Sequence, residues 1–316
     1  MDKKQRYKLM RKDFNPVGWS MLACFLLLLV CANLVALVEG FYQSIMMAFG
    51  AITEDEMMNS IMGNAWGYLL YIGLGFLFLW LWKGKKFCVD TMFKRGRPMT
   101  VGDFFSLLSV FMMGQLLFSM LAQVQEAILN LFGLSAMEML ESATSTPDTF
   151  SMFLYAGFGA PIAEEIFCRG MILRPVEKYG KRFAILMSAF FFGLLHGNIV
   201  QTPFAFVVGL VLGYVTVEYN ILWAMVLHMI NNLVLSDMIP RLFGEMGGNL
   251  ISSLLIIGFS VAGLVILIVR GQDTQAYVKA NKVDNEAVHC FFTSPGVITA
   301  SVVLIGFMLF SFYAMQ

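Results

Sequence analysis

Residues 17–38 read VGWSMLACFLLLLVCANLVALV, an unbroken apolar run without a charged side chain. At a helical rise of about 1.5 Å per residue it extends about 33 Å, enough to cross a hydrocarbon core of roughly 30 Å. Working outward, the same test finds eight further stretches, at 65–82, 104–124, 150–173, 183–198, 203–217, 221–238, 250–269 and 297–313. The fifth and sixth of the nine are short and can tilt, re-enter or merge at their ends. The reading is therefore an all-α, polytopic transmembrane helix bundle of eight or nine spans. Composition agrees, with 59% apolar residues, a mean hydropathy of +0.74 and 13% charged side chains, about half the charged share of a soluble domain. A soluble protein is excluded. Lys+Arg 21 against Asp+Glu 21 leaves no bulk electrostatic case for a nucleic-acid partner.

The placement of cations tests this segmentation independently, because loops on the cytoplasmic side of a membrane carry an excess of Lys and Arg. With the amino terminus placed in the cytoplasm, Lys3, Lys4, Arg6, Lys8, Arg11 and Lys12 lie inside. So do Lys83, Lys85, Lys86, Lys94, Arg95 and Arg97 in the next inner loop, Arg174, Lys178, Lys181 and Arg182 in the third, and Arg270, Lys279 and Lys282 in the fifth. Glu54, Asp55, Glu56, Glu138, Glu141 and Asp148 fall outside. The expectation is a multi-pass protein of the cell membrane with a basic cytoplasmic tail at 1–16 and a retained first span rather than a cleaved signal. Further transmembrane helices fill 17–149 and 241–316, flanking a central unit at 150–240. The Ser-, Thr- and Pro-rich stretch 142–149 reads as a mobile outer loop. Cys24, Cys31, Cys88, Cys168 and Cys290 lie in spans or on the reducing face and suggest packing rather than disulfides.

Ionisable residues inside spans carry the functional information, since each costs about 2.5 to 3.5 kcal/mol near mid-bilayer. The fourth stretch holds Glu164, Glu165 and Arg169 in APIAEEIFCRGMI, residues 160–172. The fifth ends in Phe192 and His196, and the seventh holds His228 and Asn232. From their inner boundaries Glu164 lies about 15 Å deep, His196 about 20 Å and His228 about 10 Å, close enough to meet near the membrane middle. Residues four apart share a helix face, so Glu165 pairs with Arg169 as a register-fixing ion pair and His228 stands beside Asn232. Glu164 points about 100° away and is left free to face another helix. Pro161, Gly157 and Gly159 predict a local opening of the helix just before the carboxylates. Gln115, Gln123, Gln125 and Glu126 are read as facing the bundle, and Gly209 with Gly213 as a close helix contact.

A carboxylate beside an imidazole in a partly dehydrated pocket can activate water, and a second His with an Asn one turn away can meet an oxyanion. These are the needs of amide hydrolysis. No H-E-x-x-H occurs, and the nearest serine-protease-like string, GLSA at 133–136, has no histidine partner. Two His and one Glu, namely His196, His228 and Glu164, could in principle hold zinc with an open fourth position. A non-proteolytic immunity or scaffold protein, or a proton-coupled transporter, could also carry such a cluster.

Three spaced motifs then narrow the choice: E-E-x-x-x-R at Glu164, Glu165 and Arg169, F-x-x-x-H at Phe192 and His196, and H-x-x-x-N at His228 and Asn232. In this set the chain resembles the CAAX prenyl-protease and bacteriocin-processing family (CPBP, or Abi) of intramembrane endopeptidases, over about 70 residues of the central unit. The resemblance implies that 150–240 is the catalytic core. It implies Glu164 as base, His196 as water partner, His228 and Asn232 as oxyanion donors, and Glu165 and Arg169 in support. It implies a metal-independent glutamate mechanism with no cofactor, zinc being the alternative, and a peptide, lipidated tail or membrane protein as substrate. Cys168 stands where many members have an aromatic residue. Loop charges and site depth favour entry from the cytoplasm or laterally from the bilayer.

Overall fold

The computed structural model describes residues 2–144 and 149–316, and within them every regular element is helical. Among the described residues seven helices are long and apolar enough to cross a membrane. The first five elements are α1 (Lys3–Ala48), α2 (Glu54–Met62), α3 (Trp66–Lys86), α4 (Val101–Asn130) and the short α5 (Met137–Thr144). After α6 and α7, described below, come α8 (Gln201–Glu218), α9 (Ile221–Phe243), α10 (Glu245–Val269), α11 (Gly271–Ala280), α12 (Asn285–Phe292) and α13 (Pro295–Ala314). The protein is thus a multi-pass membrane protein.

Two of the nine expected spans are not among the seven, for different physical reasons. The stretch 150–173 is the core of α6, a continuous helical run over 150–176 that carries Glu164, Glu165 and Arg169 and is therefore too polar for a lipid-facing span. The stretch 183–198 is α7 (Lys181–Leu195), fifteen residues or about 22 Å long, shorter than a bilayer crossing needs. Its side chains from Phe183 to Leu194 are nearly all buried. The second element and the carboxyl-terminal half of the first, from Ala160 to Arg174, are mostly buried by protein, while Phe150 and Phe158 of the first are exposed.

Small residues let the inner helices approach. A Cβ at Gly209 would lie 3.1 Å from the Ala189 Cα, and one at Gly213 would lie 3.1 Å from Ile185, so α8 packs backbone-close on α7. Caps set other starts: the Thr100 side chain accepts from Asp103 N at α4, Thr149 from Met152 N at α6, and Asn220 from Trp223 N at α9. The stretch read as a mobile loop at 142–149 is in part helical, since α5 runs to Thr144; its middle, 145–148, lies outside the described residues.

The basic residues read as a tail are helical from Lys3 onward. They lock to other loops at one end of the bundle. Arg6 pairs with Asp284 and with Glu286 (2.8 Å), Lys178 with Asp13 (2.7 Å), Lys94 with Glu177 (3.1 Å) and Lys181 with Glu218 (2.9 Å). Under them Phe14 packs against Tyr179, Phe183 and Phe291 with ring centroids 4.9, 5.7 and 5.2 Å away. The Tyr179 hydroxyl donates to Asp13, and burial together with that carboxylate pushes its pKa above the ordinary tyrosine value. Cations that alternate with spans along the sequence are therefore gathered at one end in space.

Candidate active site

Backbone irregularity marks the site. In α6, α-turns (Phe150–Leu154, Ala160–Glu165) alternate with π-turns (Tyr155–Gly159, Ile166–Leu173), and α9 widens into a π-turn over Ile230–Met238. Such π-turns are rare and often accompany function. The opening expected from Gly157, Gly159 and Pro161 takes this form: Pro161 offers no N–H, and the backbone widens just before it instead of breaking. Gly157 leaves room for Leu233 of α9, since a Cβ there would lie 2.8 Å from the leucine Cδ1.

Glu165 and Arg169 are both fully buried, with Glu165 Oε2 3.1 Å from Arg169 Nε. That contact is an ion pair without hydrogen-bond alignment, and both atoms lack a directed partner. Arg169 is held further by donating from Nη2 to Gly209 O at 3.2 Å and by lying 4.3 Å over the Phe192 ring. The other Glu165 oxygen accepts from His228 Nδ1 at 3.1 Å. Because a carboxylate only accepts, this contact puts a proton on Nδ1.

The opposite nitrogen, His228 Nε2, faces Glu164 Oε2 at 3.8 Å, too long for a direct hydrogen bond. The Glu164 side chain is 29% exposed where that of Glu165 is 0%, and its Oε2 is a buried acceptor without a partner. His196 caps α7, directly after its last residue, where the chain turns through Gly197 (φ 58°) into α8. Its Nδ1 lies 2.8 Å from Phe192 O, and since a carbonyl only accepts, Nδ1 carries the proton and Nε2 presents a lone pair. Phe192 ties the parts together, with its ring 5.0 Å from that of His196 and 5.7 Å from that of His228.

Glu164 and His196 line one cleft of about 630 Å³, walled by α1, α3, α6 and Phe307 of α13. Asn232 lies on the far side of α6. Its Oδ1 accepts from Asn231 Nδ2 at 2.9 Å, its Nδ2 donates weakly to Ala156 O at 3.4 Å, and Asn231 Oδ1 accepts from Gln115 of α4. Sequence periodicity gave Asn231 no part in the site. The π-turn from Ile230 and the reach of Gln115 bring it in. The two tyrosines stacked on the cleft wall, Tyr68 and Tyr155 (centroids 4.8 Å), were also missed, because aromatic residues in apolar helices give no signal of their own.

For the zinc alternative, His228 and His196 each commit only Nδ1, to Glu165 and to Phe192 O, and keep Nε2 as a donor; no group of three or more His, Cys, Asp or Glu among the described residues is placed to hold a metal ion.

The comparison with known families places residues 146–234, which contain all of these motif residues, under the family model described as Rce1-like: Type II CAAX prenyl endopeptidase Rce1-like. No curated protein and no solved structure matches the chain.

Proposed function

We propose, taking the Rce1-like segment at 146–234 as the premise, that this membrane protein is an intramembrane endopeptidase of the glutamate type. The family match supports an intramembrane protease; the finer reading rests on the contrast between two adjacent carboxylates. Glu165 is consumed by Arg169 and His228, whereas Glu164 lines the cleft with His196, is 29% exposed, and makes no hydrogen bond at its buried Oε2, which lies 3.8 Å from His228 Nε2.

In this reading a water held on the cleft donates one hydrogen bond to Glu164 and one to His196 Nε2. Glu164 takes the proton as the water oxygen attacks the scissile carbonyl, which becomes a tetrahedral oxyanion. Glu164 then returns that proton to the leaving amine, and a new carboxyl and a new amine are released. His228 and the Asn232 amide are the proposed oxyanion donors; for Asn232, which lies on the far side of α6, this requires its Nδ2 to leave its weak 3.4 Å bond to Ala156 O and turn toward the cleft. With Nδ1 committed to Glu165, the His228 nitrogen available to the oxyanion is Nε2. Glu165 and Arg169 hold His228 and fix α6 against α8. The glutamate mechanism calls for no cofactor; in the zinc alternative Glu164, His196 and His228 would be the ligands, His228 through Nε2 with its Nδ1 still on Glu165.

The substrate class is a peptide, a lipidated tail or a membrane protein reached within the bilayer. The carrying observation, the free carboxylate on the cleft, is tested with the purified protein in detergent and a library of prenylated and unmodified apolar peptides. Cleavage by the parent and its loss in Glu164→Gln is the expected result, and a chelator titration should leave the parent's activity intact. Cleavage surviving in Glu164→Gln refutes the general-base role. Activity lost to the chelator and restored by zinc transfers the mechanism to the metal. Absence of cleavage by the parent, with the fold intact, favours the scaffold reading, and peptide-independent proton flux in liposomes favours a transporter.

A further inference from the structure

The cleft is not placed symmetrically across the membrane. Contacts between helices give its depth. At the end where the cations gather, Phe14 of α1 is level with Phe183 and Phe291, and Gly18 abuts Gly296. Eleven residues and about 16 Å further along α1, Phe25 is level with Phe307, which in turn lies under Gly197 beside His196. Another eleven residues bring α1 to Ala36, past the Ala32–Gly67 contact and short of the Gly40–Ile61 contact. The α1 residues on the cleft run from Phe25 to Ala36, and the far wall adds Met62 and Asn64. The cleft therefore occupies only the half of the membrane opposite the cationic loops.

Burial shows which way it opens. Near Glu164 its floor is made of Phe25, Ala163 and Phe167, which are 5%, 3% and 3% exposed. Below them Met21, Cys24 and Phe14 are packed shut. At the other end Asn33, Ala36 and Met62 are exposed, Met62 by 73%. The passage from solvent or lipid to Glu164 thus leads from the end that carries α2, and the cationic end is plugged by core side chains and by the ion pairs between loops.

From this geometry we infer that the substrate is a peptide segment presented from the face opposite the cationic loops, with its scissile bond drawn down the α1–α3–α6 cleft to Glu164. By the charge rule for membrane loops that face is the non-cytoplasmic one, so the substrate class is an exported peptide or the outward end of a membrane-spanning segment, not a tail held at the cytoplasmic surface. The inference rests on the protease reading and departs from entry at the cytoplasmic face, one of the two routes, with lateral entry from the bilayer, that loop charge and site depth suggested. The wall suits a peptide. Its apolar surface accepts side chains, and Asn33, Asn64, Tyr68, Tyr71 and Tyr155 punctuate it with polar groups that can meet a backbone. Those groups are spread along the passage.

Two measurements test this without requiring cleavage, so failure of the catalytic reading leaves them interpretable. First, Met62→Cys and Lys94→Cys are made in the full-length protein with its native cysteines replaced by Ser or Ala, and intact cells are treated with a membrane-impermeant maleimide. Met62→Cys should label in intact cells and Lys94→Cys only after lysis; the reverse pattern overturns the assignment of the face. Second, an apolar peptide carrying a photoreactive benzoylphenylalanine is added to right-side-out or inverted vesicles. Cross-linking to the protein should be at least fivefold greater in right-side-out vesicles and should fall at least fivefold in Ala36→Trp, which narrows the exposed end. It should persist in Glu164→Gln, which lacks the proposed base but keeps the passage. Cross-linking mainly from the inverted side, from neither side, or unaffected by Ala36→Trp in protein that remains folded would overturn the proposal.

Discussion

The two faces of α6 hold neighbouring carboxylates in opposite surroundings. Toward α8 and α9, Glu165 is sealed with Arg169, His228 and the Phe192 ring. Toward α1 and α3, Glu164 lines a largely apolar cleft that also carries His196, two asparagines and three tyrosines, and its Oε2 makes no hydrogen bond. One residue of helix separates a group whose charge is fully compensated from one whose charge is left available. The difference teaches that in lipid an ionisable residue has to be explained by its partners, because only the uncompensated one can do chemistry at a substrate.

Removing Arg169 is the most damaging way to break this comparison. It leaves Glu165 charged, buried and facing only His228, a situation that costs about 3–5 kcal/mol when one member of a buried pair is lost. Arg169→Met should therefore lower thermal stability in detergent sharply and abolish activity as a consequence, while Arg169→Met combined with Glu165→Gln should recover much of the stability. A single variant as stable as the parent would show that the pair is not the register-fixing element.

Glu164→Gln should do the converse. It leaves the melting temperature near that of the parent, because the part-exposed side chain's contact with His228, at 3.8 Å, is too long for a hydrogen bond, and reduces cleavage by about 10²–10⁴-fold, the usual worth of a positioned general base. A large fall in stability with this substitution would mean that both faces of α6 are structural.

Much of this arrangement was legible in the sequence, and what was not has identifiable physical causes. The apolar runs and the i, i+4 spacing of Glu165 with Arg169 translate directly into helices and a buried pair, because helical geometry fixes both. The 150–173 and 183–198 stretches fall short of the other seven helices for reasons hydropathy only partly carries, the first holding buried charges and the second being short, as its length in the sequence already indicates. The link from Gln115 through Asn231 to Asn232 depends on a π-turn that displaces the α-helical phase, and no one-dimensional periodicity contains it. The side on which the cleft opens depends on how α1, α2 and α3 lean together, which is a property of tertiary packing alone.

That amide chain gives a smaller test. Gln115 lies outside the Rce1-like segment yet donates to Asn231, whose own amide fixes which end of Asn232 is the acceptor. Gln115→Met removes one hydrogen bond worth about 1 kcal/mol. If the bond orients Asn232 for the oxyanion, kcat should fall about fivefold with KM unchanged, as about 1 kcal/mol in the transition state alone requires. A change confined to KM or to stability would place Gln115 in packing only.

The smallest effect belongs to the cationic end, where charges are paired in reach of water. Lys178 lies 2.7 Å from Asp13, but their side chains are 58% and 31% exposed, and exposed pairs contribute about 0–1 kcal/mol. Asp13 also keeps the Tyr179 hydroxyl as a partner when the lysine is gone. Lys178→Met should therefore shift the melting temperature slightly, less at high salt, and leave cleavage unchanged. The same kind of ion contact thus has a small effect at the surface and a decisive one beside Glu165, so a Lys178→Met effect as large as that of Arg169→Met would show that desolvation is not what separates them.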